Sequence, residues 1–171
     1  MLINCVVYQN GVKLRDIPVE DISDYICQAD CFVWVALHDA TTEELDKMQE
    51  EFNLHPLAME DAHHGHQRPK VEEYGETLFV VMHLPEIVAG ELRVGEVMVF
   101  TGGNFVLSIR NHNSQHFLGV RERAERESHL LRHGSGFVLY ALMDAVVDRY
   151  FPIADTLESE LEAVEERIFA R

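Results

Sequence analysis

Nine apolar residues, Leu139, Leu142, Val146, Tyr150, Ile153, Leu157, Leu161, Val164 and Ile168, recur at intervals of 3, 4, 4, 3, 4, 4, 3 and 4 in the last part of the chain. The mean interval of about 3.6 residues is that of a nearly straight α-helix with a single apolar stripe. From Ser135, read as an N-cap behind Gly134, such a helix is about 50 Å long and longer than the expected diameter of the rest of the chain, so it should project. Pro152 removes one intrahelical hydrogen bond and kinks or divides the helix, costing about 3 kcal/mol if uncompensated, yet either form keeps the stripe. The pattern does not fade before Arg171 and no glycine closes it, so the natural polypeptide is expected to continue.

The preceding residues read as one domain. "LINCVVYQNGVKLRD" surrounds Asn10-Gly11, a hairpin signal because both residues tolerate positive φ. "VEDISDYIC" reads as a short helix and "CFVWVALHD" as a strand covered on both faces. In the helix "TTEELDKMQEEFN", Thr41 and Glu44 have the spacing of a capping box. "KVEEYGETLFVVMHLPEIV", "ELRVGEVMVFTGG" and "NFVLSIRN" are strand-like segments broken by Gly75, Gly90 and Gly102-Gly103, and read as sequential antiparallel strands. "NSQHFLGVRERAERES" reads as a polar amphipathic helix. This mixture predicts an α/β (α+β) fold or a three-layer α/β/α sandwich rather than a βαβ repeat.

Fourteen basic residues against 30 acidic ones give a formal net charge of -16, a field that repels phosphate backbones and anionic lipid, so no nucleic acid partner is expected. Cys5, Cys27 and Cys31 form no CxxC pair and read as buried thiols of a reducing compartment, best the cytosol. No export signal and no apolar run of about 18 residues is present. Neither GxSxG, GxGxxG nor GxxxxGK[ST] occurs, so nucleophilic and nucleotide chemistry lack support and no catalytic residue is assigned.

"MEDAHHGHQRPK", residues 59–70, concentrates polar groups. His63, His64 and His66 could offer imidazole to zinc, with Asp61 or a cysteine as fourth ligand, but their spacing is not that of a helical zinc site. Adjacent Glu60 and Asp61 diverge by about 100° on a helix and form no pocket alone. Asp144, Asp148 and Asp155 lie on the polar side of the long helix. A hydrated Mg²⁺ needs only one or two carboxylates, so sparse acidic groups from separate elements suffice chemically.

Two segments, "HPLAMEDAHHGHQRPKVEEYGETLFVVMHL" and "LYALMDAVVDRYFPIADTLESELEAVEERIF", closely resemble the cytoplasmic domain of the CorA family of magnesium and cobalt transport proteins. The resemblance rests on His55-Pro56, Glu60-Asp61, Gln67-Arg68-Pro69-Lys70 with Glu72, and the Asp144 to Phe151 segment. It implies a three-layer α/β/α sandwich with a mixed, largely antiparallel sheet over 1–134, followed by the beginning of a stalk helix at 135–171. It further implies a homopentamer around a cation pathway, anchored in the cell membrane by helices beyond this cytoplasmic, itself soluble part, which alone cannot conduct ions. Glu60, Asp61 and Asp144 match the family's carboxylates for divalent cations between subunits, implying Mg²⁺, or alternatively Co²⁺ or Zn²⁺. Gln67, Arg68 and Lys70 are expected to tie the connection into the sheet through hydrogen bonds and ion pairs, with Pro69 opening the next strand. A zinc-transporting relative and a freestanding cation-binding module are the alternatives.

Overall fold

The computed structural model describes residues 1–112 and 119–170. Among these residues seven strands form one sheet: β1 (Leu2–Gln9), β2 (Val12–Asp16), β3 (Cys31–His38), β4 (Lys70–Tyr74), β5 (Thr77–Val88), β6 (Glu91–Thr101) and β7 (Phe105–Asn111). Their spatial order is β2-β1-β3-β7-β6-β5-β4. The first hairpin closes through Asn10 and Gly11, with φ of 52° and 79°, the double positive-φ turn that matches strand twist. A Cβ on Gly11 would also collide with the backbone carbonyl of Ser128, so glycine there serves packing as well as the turn. Strands β4 to β7 run antiparallel in sequence order, and β3 joins β7 in the one parallel pairing among the described residues, Val33 opposite Phe105 through His38 opposite Arg110. The sheet is therefore mixed and largely antiparallel. The first of the three strand-like segments is two strands, because the backbone turns at Gly75.

Alternation along the strands feeds two cores. Cys5, Val7, Val33, Val35, Leu107 and Ile109 face α1 (Ile22–Ile26), α2 (Thr42–Phe52) and α3 (Pro56–His64). Val6, Tyr8, Phe32, Trp34, Val97 and Val106 face α4 (Val120–Arg126), α5 (Ser128–Leu131) and α6 (Ser135–Phe169). Three layers follow because no strand in the middle can leave either face to water. The Thr41 hydroxyl accepts the Glu44 N–H at 3.2 Å while the Glu44 carboxylate accepts the Thr41 N–H at 3.0 Å, completing the expected capping box of α2. Phe52 stacks on Phe105 at 4.5 Å on that side, and Tyr8 on Phe32 at 5.0 Å on the other.

Several local expectations change. Ser135 is the first residue inside α6 and is buried; its hydroxyl donates to the Gly102 carbonyl, and Gly134 holds the capping position with φ 74°. Cys27 is exposed, because it follows the last turn of the short α1 and faces no second layer, whereas Cys5 and Cys31 are buried. Of the amphipathic helix expected between 113 and 128, residues 113–118 lie outside the described residues, and the remainder is α4 followed by the separate turn α5. Pro152 does not divide α6, which is continuous for 35 residues, about 52 Å at the helical rise. The stripe on α6 splits in two: its Leu142 and Val146 are buried against the sheet together with Val138 and Ala141, while its Leu157, Leu161, Val164 and Ile168 are exposed.

Candidate functional site

Helix α3 starts with His55, whose Nδ1 accepts the Leu57 N–H at 3.3 Å, and with Pro56 in the first turn, where a missing N–H costs nothing. Ala58, Met59 and Ala62 turn one side of the helix to the core, which sends Glu60 and Asp61 outward. The Asp61 carboxylate accepts from Lys70 Nζ at 2.6 Å, and the same ammonium lies 2.8 Å from Glu72 and 5.6 Å from the centre of the Phe79 ring. Partial burial acts to lower the Lys70 pKa, but hydrogen bonds and charge from Asp61 and Glu72 outweigh it and hold the group above the ordinary lysine value. Glu60 is exposed and its carboxylate meets no charged partner among the described residues.

The connection after α3 is fastened by a residue from a distant strand. Glu96 of β6 is only 5% exposed, and its two oxygens accept the N–H groups of His66 at 3.1 Å and Gln67 at 2.8 Å. His83 Nε2 lies 3.1 Å from the Gln67 carbonyl. Gln67 thus joins the sheet through its backbone and Lys70 through its charge, as expected, while Arg68 is exposed and makes no ion pair among the described residues. Pro69 immediately precedes β4.

The three histidines do not converge. His63 pairs with Asp46 at 3.2 Å, His64 Nδ1 sits 2.8 Å from the Glu60 carbonyl, and the His66 ring stacks on His112 with centroids 5.1 Å apart. Among the described residues no group of three or more His, Cys, Asp or Glu side chains is placed to hold a metal ion.

Asp144 projects from α6 on the opposite side of the sheet from α3 and accepts from Arg123 of α4 at 2.8 Å. Glu60 and Asp61 therefore cannot share an ion with Asp144 of the same chain. A cation at either place meets a carboxylate already held by a basic residue of its own chain, Lys70 or Arg123.

Sequence reasoning missed the buried charges of the second core. Glu86 is 4% and Arg110 6% exposed, and Arg149 of α6 lies near both. Burial, and then the charge of Arg149, depress the Arg110 pKa, with Asp39 opposing; burial lowers that of Arg149, with Glu86 opposing. Their burial comes from the packing of α6 on β5 and β7, which no local pattern in the sequence encodes.

A layered body with one projecting helix has clear counterparts among solved structures. The full-length CmaX protein superposes with a TM-score of 0.76 at 20% identity, covering 99% of this chain and 52% of that one. The soluble domain of CorA from Methanocaldococcus jannaschii superposes at 0.64 with 21% identity, covering 99% and 66%. These likenesses define the fold. The family described as "CorA-like Mg2+ transporter protein" matches residues 29–171, and the chain belongs to that family. The metal ion transporter candidate YfjQ of Bacillus subtilis is 33% identical over 154 residues, 90% of this chain and 46% of the relative. The cobalt/magnesium transport protein CorA of Thermotoga maritima is 32% identical over 133 residues, 76% and 38% respectively. The chain thus spans less than half the length of either relative. Among the described residues no helix is long and apolar enough to cross a membrane.

Proposed function

We propose that this chain is the cytoplasmic regulatory part of a CorA-type divalent cation transport protein, acting as a homopentamer in which Mg²⁺ between subunits sets the gate. The observation that carries the reading is the family match over residues 29–171, which runs from the layered body through the whole of α6. In this reading Glu60 and Asp61 on one side of the body and Asp144 on the other are ligands at subunit boundaries. Their placement on opposite faces supports this, since a neighbour in a ring presents the face that the chain itself cannot. Mg²⁺ retains most of its water and needs few carboxylates, so a boundary that brings together even one or two is enough. Co²⁺ or Zn²⁺ would use the same carboxylates, though less selectively.

The mechanism is a balance of charge. With a formal charge of -16 per chain, ring neighbours repel, and a divalent ion bridging two of them offsets that repulsion. When cytoplasmic Mg²⁺ falls, the bridge is lost, the bodies separate, and the helices they carry move with them. Lys70 and Arg123 make the bridge competitive: each occupies a carboxylate that the ion must share or take over.

The test is flux through the full-length transporter carrying Glu60→Ala, Asp61→Ala and Asp144→Ala together. Inhibition by Mg²⁺ is expected to be lost while transport persists; unchanged inhibition would reject the gating role and leave the family assignment untouched. The coding sequence after Arg171 is expected to hold two apolar stretches of about 20 residues.

A further inference from the structure

Lys70 stands between two carboxylates carried by different elements. Asp61 comes from the later part of α3, and Glu72 follows two positions along β4, on the same face of the strand as Lys70. Lys70 Nζ lies 2.6 Å from Asp61 Oδ2 and 2.8 Å from Glu72 Oε2, and the side chains of Asp61, Lys70 and Glu72 are only 27%, 26% and 38% exposed. The ammonium also sits 5.6 Å from the centre of the Phe79 ring, so the sheet fixes it together with the two acids. Glu72 is held in turn: its Oε2 accepts from the Tyr74 hydroxyl at 3.1 Å, and the Tyr74 ring stacks on His55, the N-cap of α3, at 4.5 Å. A closed circuit thus runs from Asp61 through Lys70, Glu72 and Tyr74 back to the start of the helix that carries Asp61.

An ammonium and a divalent ion are both satisfied by carboxylate oxygen, and their mutual repulsion opposes holding both at one half-buried carboxylate. An ion at Asp61 therefore displaces Nζ. The second carboxylate lowers the cost of that displacement, because a lysine released from Asp61 keeps Glu72 instead of being left uncompensated. Arg123 has no such alternative: among the described residues Asp144 is the one carboxylate within ion-pair distance of it.

We infer that Lys70 is a tethered competitor of the divalent ion at Asp61 and passes to Glu72 when the ion binds, so that this pair sets the ion concentration at which the site responds. The inference rests on the reading of Asp61 as a cation ligand and adds regulation to it: a threshold built into one chain, with Glu72 receiving the lysine rather than the metal.

The two residues then act with opposite sign. Loss of the Lys70 charge frees Asp61, whereas loss of the Glu72 charge leaves Lys70 to Asp61 alone. In the full-length transporter, Lys70→Met, which keeps the apolar stem, is expected to lower the Mg²⁺ concentration for half-inhibition of flux about fivefold or more, and Glu72→Gln to raise it about fivefold. Lys70→Arg, which keeps the charge, should stay within about twofold of the parent. Lys13→Met removes the same charge from β2, at the opposite edge of the sheet from β4, and should also stay within about twofold, separating a local effect from a change in net charge. Damage to the fold would move Lys70→Met and Glu72→Gln in the same direction. Shifts of the same sign in those two variants, or a Lys70→Met shift no larger than that of Lys13→Met, would overturn the inference and leave the cation reading standing. Unchanged Mg²⁺ inhibition when Glu60, Asp61 and Asp144 are all alanine would overturn both.

Discussion

Single residues show where charge and burial were and were not readable. The three cysteines share an apolar context in sequence, yet only Cys5 and Cys31 are buried, since a five-residue α1 cannot carry its end under a second layer. Burial above all, with Asp16, Glu51 and Glu20 adding repulsion, pushes the Cys5 thiol up to about 12. A thiol reagent at neutral pH is accordingly expected to modify Cys27 in the native protein, and Cys5 and Cys31 only after unfolding, as counted by mass spectrometry. The Tyr8 hydroxyl is raised in the same direction, by burial first and then by its 2.8 Å hydrogen bond to Glu125. Both groups hold their protons more tightly folded than unfolded. The stability they contribute is complete below the unfolded pKa values of about 8.5 and about 10, and is lost as pH rises toward the folded ones. The urea midpoint should fall steadily above about pH 9. Glu96 could not be singled out from "ELRVGEVMVF", because its function is to receive two N–H groups from a segment far along the chain. Glu96→Gln keeps the shape but turns a donor against those N–H groups, and should cost about 1–3 kcal/mol in denaturant unfolding.

At the level of elements, local signals were sound where local chemistry decides. The capping box at Thr41 and Glu44, the Asn10-Gly11 turn and the period of α6 each concern residues within a few positions of one another. Ser135 shows the limit: its hydroxyl was read as a cap, but burial makes the Gly102 carbonyl its partner. The parallel pairing of β3 with β7 was equally out of reach, since nothing in either strand encodes which distant segment it will lie beside. In α6 the Thr156 hydroxyl donates to the Pro152 carbonyl at 2.8 Å, a side-chain bond formed next to the place where proline withholds a backbone one. Pro152→Ala restores the N–H and should slow amide exchange in the following turns, with a gain of up to about 3 kcal/mol in local helix stability.

For the whole molecule, the decisive contrast lies along α6. Its first half packs on the core; its second half repeats the same period with nothing among the described residues to cover it. Leu157→Ser with Leu161→Ser, at positions 54% and 59% exposed, should leave unfolding of the layered body within about 0.5 kcal/mol of the parent. Sedimentation of the same double variant should show weakened self-association if the stripe is a subunit surface, and identical sedimentation would speak against that role. Family and layers were legible because the motif spacings and the apolar alternation survive in one dimension. The partners of Asp61 and Asp144 were not, because Lys70 and Arg123 meet them only through the packing of separate elements.

The lone parallel seam also sets an order of assembly. The β1–β2 hairpin and the β4–β7 meander can zip up from short turns, and β3 returns to β1 after α1, but neither unit shields its inner edge until Val33 finds Phe105 across the length of both. Closing that seam carries the largest loop entropy in the sheet, so it is the step at which a nascent chain should wait, with two sticky edges bare.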